Sequence, residues 1–361
     1  MDPFAHTLAG AALAATGLRH QARYATAALI IGANLPDIDV LATFWGEDAM
    51  LEHRRGWTHG ILAMVVLPWL LLALIWLWHR FVGVNGTSSL PWRPGRLLAL
   101  CYLAIASHPL LDWLNTYGVR LLMPFDGTWF YGDTLFIVDP WLWLLPLAAV
   151  MLAWQGHRTV LMAASVFSAL ATLLVLATDL TPLFVKLLWC LLLPVILLLA
   201  WRGWHADASQ RLAQLCLATA LVYIAGTWAM ARQAEARAAQ SAPQPPLQVQ
   251  ANPLPGSPLA HRLLLVHEDH YQLQTADGMH YRVAREAPGP VVQAALASPE
   301  VSGFVTWMRF PYWTVQETDS GWTVHLYDLR YQGPDEPAAG IGHARVAVRP
   351  VDLPGAALPS Q

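Results

Sequence analysis

Hydrophobic positions fall into long unbroken runs before about residue 232 and into short, partly alternating ones after it. Six runs, near 59–79, 97–113, 136–155, 159–178, 184–201 and 211–231, are each close to the roughly 20 residues that carry a helix across a bilayer core. Two shorter runs, 4–18 and 24–36, precede them. They are rich in Ala and Gly and are parted by Arg19-His20-Gln21-Ala22-Arg23, which predicts a helical hairpin packed closely on other helices. From 233 to 258 the chain is rich in Ala, Gln and Pro, and Pro243, Pro245, Pro246, Pro253 and Pro255 predict a linker without regular helix. Beyond it, 262–266, 270–275, 280–285, 303–309, 313–317 and 322–330 read as short strands, with turn signals at Asp277-Gly278 and Asp319-Ser320-Gly321.

The expected fold is a mainly α membrane protein: a polytopic helical bundle with a small C-terminal β-rich extramembrane domain. The expected divisions are an N-terminal hairpin and ligand-bearing loop (1–58), a transmembrane bundle (59–232), a linker (233–260) and the β-rich domain (261–361). Composition agrees. The chain is 56% hydrophobic and only 12% charged, about half the charge of an ordinary soluble domain, so lipid is the expected solvent. A net charge of −3 leaves no broad basic surface, and no nucleic-acid partner is expected. Cys101, Cys190 and Cys216 lie in apolar runs without ligand or disulfide spacing. Met1–His6 lacks the basic start of a secretory signal and reads as mature sequence.

Basic residues collect in cytoplasmic loops. Placing 1–3 and 37–58 outside puts Arg19, Arg23, Arg80, Arg93, Arg96, Arg158, Arg202 and Arg211 inside. Arg54, Arg55, Arg120 and Lys186 then face the other side, with Arg232 and Arg237 in the linker. That orientation also gathers His6, Asp37, Asp39, His53, His59, His108 and Asp112 at the outer helix ends, expected to be the periplasmic side.

Those residues form the densest chemical signal. Asp37 and Asp39 stand two apart after Pro36, where an extended segment points both carboxylates one way, and paired carboxylates repel unless a cation lies between them. His108 and Asp112 share a helix face at i, i+4, although Pro109 between them can distort the turn. His53 and His59 bracket the start of a long helix, with Gly56 freeing the loop between them. His20, His79, His157 and His205 are better read as interfacial or capping residues. Asp126-Gly127 reads as a turn and Asp139-Pro140 as a helix start, whereas Asp133 lies among aromatic and apolar residues on the ligand-bearing side. Tryptophans near predicted helix ends suit an interfacial belt.

Taken together, Met1-Asp2-Pro3 with His6, Asn34-Leu35-Pro36-Asp37-Ile38-Asp39, His53-Arg54-Arg55-Gly56-Trp57-Thr58-His59 and Ser107-His108 with Asp112 resemble the membrane-bound metal-dependent hydrolase family. This is the inner-membrane group once described as LexA-regulated, itself distantly similar to zinc-dependent phospholipase C. Over about 1–230, the resemblance implies a bacterial inner-membrane protein with a hydrolase centre liganded by His6, Asp37, Asp39, His53, His59, His108 and Asp112. The expected activity is a metal-dependent hydrolase acting on a phosphoester of a membrane lipid or lipid-linked substrate. Its cofactor would be one or more Zn²⁺ ions, or Mn²⁺. Glu52 or Asp133 is the candidate general base. Arg54 and Arg55 are candidates for holding phosphate, a role that interfacial attraction to anionic headgroups explains equally well. A purely structural metal site is the alternative, and a transporter is disfavoured because 159–178 and 184–201 lack mid-membrane charges and the acids cluster at one surface.

Overall fold

Asp2 starts the first helix, α1 (Pro3–Ala15). Its carboxylate accepts from the backbone N–H of Phe4 and Ala5, and Pro3 at the first helical position has no N–H to lose. The chain reverses through 18–20 into α2 (Ala25–Gly32) and continues as 3-10 turns over Leu35–Trp45. Close packing here depends on glycine. A Cβ on Gly10 would meet the Leu29 carbonyl at 2.5 Å, and one on Gly32 would meet Ala104 Cβ at 2.8 Å. These two positions let α2 sit tightly between α1 and α5.

The computed structural model describes residues 1–82, 89–204, 208–276, 278–336, 338 and 341–353. His205 and Asp277 lie outside the described residues. After the short α3 (Glu47–His53) come α4 (Ile61–Phe81), α5 (Pro94–Trp113), α6 (Pro140–Ala153), α7 (Arg158–Ala177), α8 (Leu183–Trp201) and α9 (Ser209–Ser241). Among the described residues, α4, α5, α7, α8 and α9 are long and apolar enough to cross a membrane, and α2 with Leu35–Trp45 adds a sixth span if that bent pair counts as one.

The run at 136–155 contains only the 14-residue α6, below spanning length. Asp139 caps its start, accepting from Trp141 N (2.9 Å) and Leu142 N (3.3 Å), and the helix ends before Gln155-Gly156. It still runs between the two ends of the bundle, starting beside Leu174, Val175 and Thr178 at the end of α7 and finishing where Gln155 Nε2 donates to the Trp204 carbonyl beyond α8. It is apolar because it is buried inside protein. Leu142, Trp143, Leu144, Leu147 and Met151 join Leu161, Val175, Trp189 and Leu193 in the main core.

The chain divides into two compact units. The first comprises 1–38, 55–231 and 253–260, and the second 39–54, 232–252 and 261–361. In the second, a four-stranded sheet has the order β1 (Gln248–Leu254), β2 (Ser257–Val266), β3 (His270–Gln274), β4 (His280–Ala284), although the β1–β2 turn is counted with the first unit. α10 (Pro290–Leu296) and α11 (Ser302–Trp307) follow, then a three-stranded sheet of β5 (Pro311–Thr318), β6 (Gly321–Asp328) and β7 (His343–Val348). Leu264, Val266, Tyr271 and Leu273 pack with Phe310, Tyr312, Tyr327 and Leu329 as the core of this unit. Thr318 pairs with Gly321 across the predicted Asp319-Ser320 turn.

The fold class is the one that the hydrophobic pattern predicts, with two local corrections besides the shortened α6. The expected linker is largely regular: α9 runs on to Ser241 and β1 occupies 248–254. The stretch 232–241 is Ala-rich and carries an Arg232–Glu235 pair at 2.9 Å, so the helix ends only where the prolines begin. Pro253 sits at the end of β1, an edge strand, where a missing donor is tolerated. The second correction is at 303–309, expected as a strand, which is mostly α11. There Phe304 and Trp307 are buried one helical turn apart, a spacing that alternation over a few residues imitates.

Candidate metal centre

Four side chains from three stretches of the first unit converge. α5 contributes His108 and Asp112, the turn before α4 contributes His59, and the turn after α2 contributes Asp37. Pro109 does not break α5, which stays helical to Trp113, and His108 Nε2 reaches Asp112 Oδ2 at 3.5 Å. His59 Nε2 lies 3.1 Å from His108 Nε2 and 3.2 Å from Asp112 Oδ2. Asp37 Oδ1 is 3.4 Å from His108 Nε2 and 3.8 Å from His59 Nε2.

These spacings fit a cation. A tetrahedral Zn²⁺ with nitrogen and oxygen ligands at about 2.0–2.1 Å separates its ligand atoms by about 3.3 Å, which the distances between these donors bracket. The imidazoles are also turned the right way. His108 Nδ1 donates to the Ala33 carbonyl at 2.6 Å, which leaves Nε2 with its lone pair toward the centre. His59 Nδ1 bonds the Thr58 hydroxyl at 3.0 Å. Since Gly32 sets how closely α2 approaches α5, it also sets where the Ala33 carbonyl meets His108.

Asp112 is divided between two tasks. Oδ2 faces His59 and His108, while Oδ1 accepts from Arg55 Nη2 at 2.9 Å, lies 3.2 Å from His6 Nε2 and pairs with the Met1 amino group. Arg55, buried and in a left-handed conformation at φ 51°, also donates to Asn115 Oδ1 at 2.9 Å and the Gly118 carbonyl at 3.2 Å. Its guanidinium therefore holds the metal-site carboxylate in place.

His6 stacks on His108, centroids 3.6 Å apart, and meets the outer oxygen of Asp112, so it flanks the four-donor group. Asp133 is buried at φ 46° in the connection packed on the end of α5, where Gly132 N and Thr134 N donate to the carbonyls of Trp113 and Leu114. It is outside the group, as are Asp39, Glu52, His53 and Arg54, which belong to the second unit. There Arg54 Nη1 donates to Asp39 Oδ1 at 2.8 Å. Asp126 accepts from Thr128 N at 2.7 Å as a turn residue. Sequence reasoning missed Asn115, whose placement one turn beyond Asp112 was the available signal. Nothing in the sequence signalled that Arg55 would fold back onto Asp112.

The chain belongs to the YdjM inner membrane protein family, whose profile matches residues 1–181 and so takes in every member of the four-donor group. The uncharacterized protein YfhP of Bacillus subtilis (strain 168) is 24% identical over 129 residues, 36% of each chain. The match thus spans about a third of that relative's length. No solved structure matches the chain significantly. Family and apolar helices together make this a multi-pass inner-membrane protein with a group of side chains able to bind a metal ion.

Proposed function

We propose that this member of the YdjM family is a membrane-embedded metal-dependent hydrolase acting on a phosphoester of a lipid or lipid-linked substrate. The observation that carries this reading is the mixed two-imidazole, two-carboxylate group of Asp37, His59, His108 and Asp112, each imidazole backed by a partner on its other nitrogen. Hard and borderline ligands of this kind suit Zn²⁺, or Mn²⁺, and hydrolytic chemistry. A divalent ion held there supplies Lewis acidity toward a phosphoryl oxygen and activates water near neutral pH. His59 and His108 orient the site, Asp112 anchors it through Arg55, and Asp37 completes the ligand set. General base duty falls to Asp133, buried in the connection packed on the end of α5. His6, stacked on His108 beside Asp112, flanks that ligand set. The site and the C-terminal domain are assigned to the periplasmic side on the basic-residue distribution.

The second reading is a structural metal centre, favoured by the complete burial of His59, His108 and Asp112. Purified protein with stoichiometric metal, offered a panel of phospholipids and lipid-linked phosphoesters, separates the two. Release of headgroup or phosphate that disappears in His59→Ala supports the hydrolase. Full metal loading without turnover on any substrate supports the structural centre.

A further inference from the structure

Three of the four metal donors have fully buried side chains, and Asp37 alone keeps 11% of its side chain exposed. The thinnest cover over the centre is therefore at Asp37, whose carboxylate oxygens are themselves buried. Asp37 lines a groove of about 460 Å³ together with Ile30, Ile31, Asn34, Leu35 and Ile38, within the usual size of a small-molecule site. The groove is aliphatic along its length, and Ile31 and Ile38 are half exposed. Its other polar side chain, Asn34, is already committed: Nδ2 donates to the Ile30 carbonyl at 2.8 Å and Oδ1 accepts from the Thr7 hydroxyl at 3.0 Å. A water-soluble phosphoester would gain little there, since the Asp37 carboxylate attracts a phosphate only through a bound cation. A hydrocarbon chain would be matched throughout, on an α2 face whose apolar residues belong in lipid.

We infer that this groove is the acyl-chain subsite of the enzyme, receiving a diacyl phospholipid laterally from the bilayer, with the hydrocarbon on Ile30, Ile31, Leu35 and Ile38 and the phosphoester at Asp37. The reacting end of this assignment rests on the hydrolase reading, whereas occupancy of the groove does not.

The full chain is reconstituted in phosphatidylethanolamine and phosphatidylglycerol vesicles doped with a phosphatidylethanolamine bearing a diazirine on one acyl chain, and photolabelled peptides are mapped. Labelling is expected to concentrate on 30–38, to fall with excess unlabelled lipid, and to drop in Ile31→Trp but not in Leu170→Trp, a substitution of equal bulk at an exposed site on α7. Labelling no denser on 30–38 than on α7 and α8 overturns the subsite, whether or not the protein turns over. Hydrolysis is read in parallel. Ile31→Trp should cut release from the vesicles about tenfold or more, the worth of a blocked apolar contact, while sparing metal content and turnover of the chain-free probe bis(p-nitrophenyl) phosphate. Equal loss on both probes contradicts the subsite. Focused labelling with full metal and no turnover of either probe contradicts the hydrolase reading alone.

Discussion

His59 and His108, 49 positions apart in sequence, face each other with their Nε2 atoms 3.1 Å apart, and each ring's Nδ1 is held by a partner outside the pair. Because His108 spends its Nδ1 proton on the Ala33 carbonyl, a neutral ring there presents a lone pair to the centre. Removing either imidazole should therefore abolish tight metal binding. His108→Ala is expected to weaken affinity by more than the roughly 10–100-fold typical of losing an outer partner, as read by competition with a chromophoric chelator.

Arg55 gives a second expectation. Its guanidinium neutralises a fully buried Asp112, so Arg55→Ala leaves a buried carboxylate without its principal cation. Such a loss costs about 3–5 kcal/mol, and the thermal midpoint of the detergent-solubilised metal-free protein should fall accordingly. Arg55→Lys should recover part of it, because a point charge cannot contact Asp112, Asn115 and the Gly118 carbonyl together. If Arg55 served chiefly to hold phosphate, stability would be unchanged and only substrate affinity would suffer.

The helical path of 232–241 is checked with proline. Ala236 is an exposed interior position of α9, and Ala236→Pro should destabilise the helix by about 3 kcal/mol and expose 232–241 to limited proteolysis. Ala236→Leu should do neither. A true linker would accept both substitutions equally.

Orientation is open to cysteine labelling in a background without Cys101, Cys190 and Cys216. With an outward-facing site, a membrane-impermeant maleimide applied to intact spheroplasts should label Asp126→Cys and spare His157→Cys until the cells are broken. The opposite pattern would reverse the topology.

The fold was legible where hydrophobic pattern and burial agree. α4, α5, α7 and α8 lie within a few residues of their predicted runs, because long apolar runs have few alternatives. α6 was overextended because a helix buried in protein and one buried in lipid look alike in sequence. β1 and the end of α9 were lost because prolines at 243 and beyond coloured their neighbours, although Pro acts only locally. At the site, the i, i+4 pair His108–Asp112 was readable from helix periodicity alone. Asp37 and Asp39 were not separable, since extended chain would have pointed both the same way, whereas the 3-10 turns at Leu35–Trp45 send them to different partners. Arg55 and Asn115 act through contacts across the fold, and spacing carries no record of those.

That separation supplies the most direct measurement of the central claim: metal content of the purified full-length protein, by mass spectrometry, for wild type, Asp37→Ala and Asp39→Ala. A centre built from Asp37, His59, His108 and Asp112 predicts stoichiometric Zn²⁺ or Mn²⁺ in wild type and in Asp39→Ala, whose carboxylate serves Arg54, and severe loss in Asp37→Ala. Metal retained without Asp37, or lost without Asp39, would contradict it.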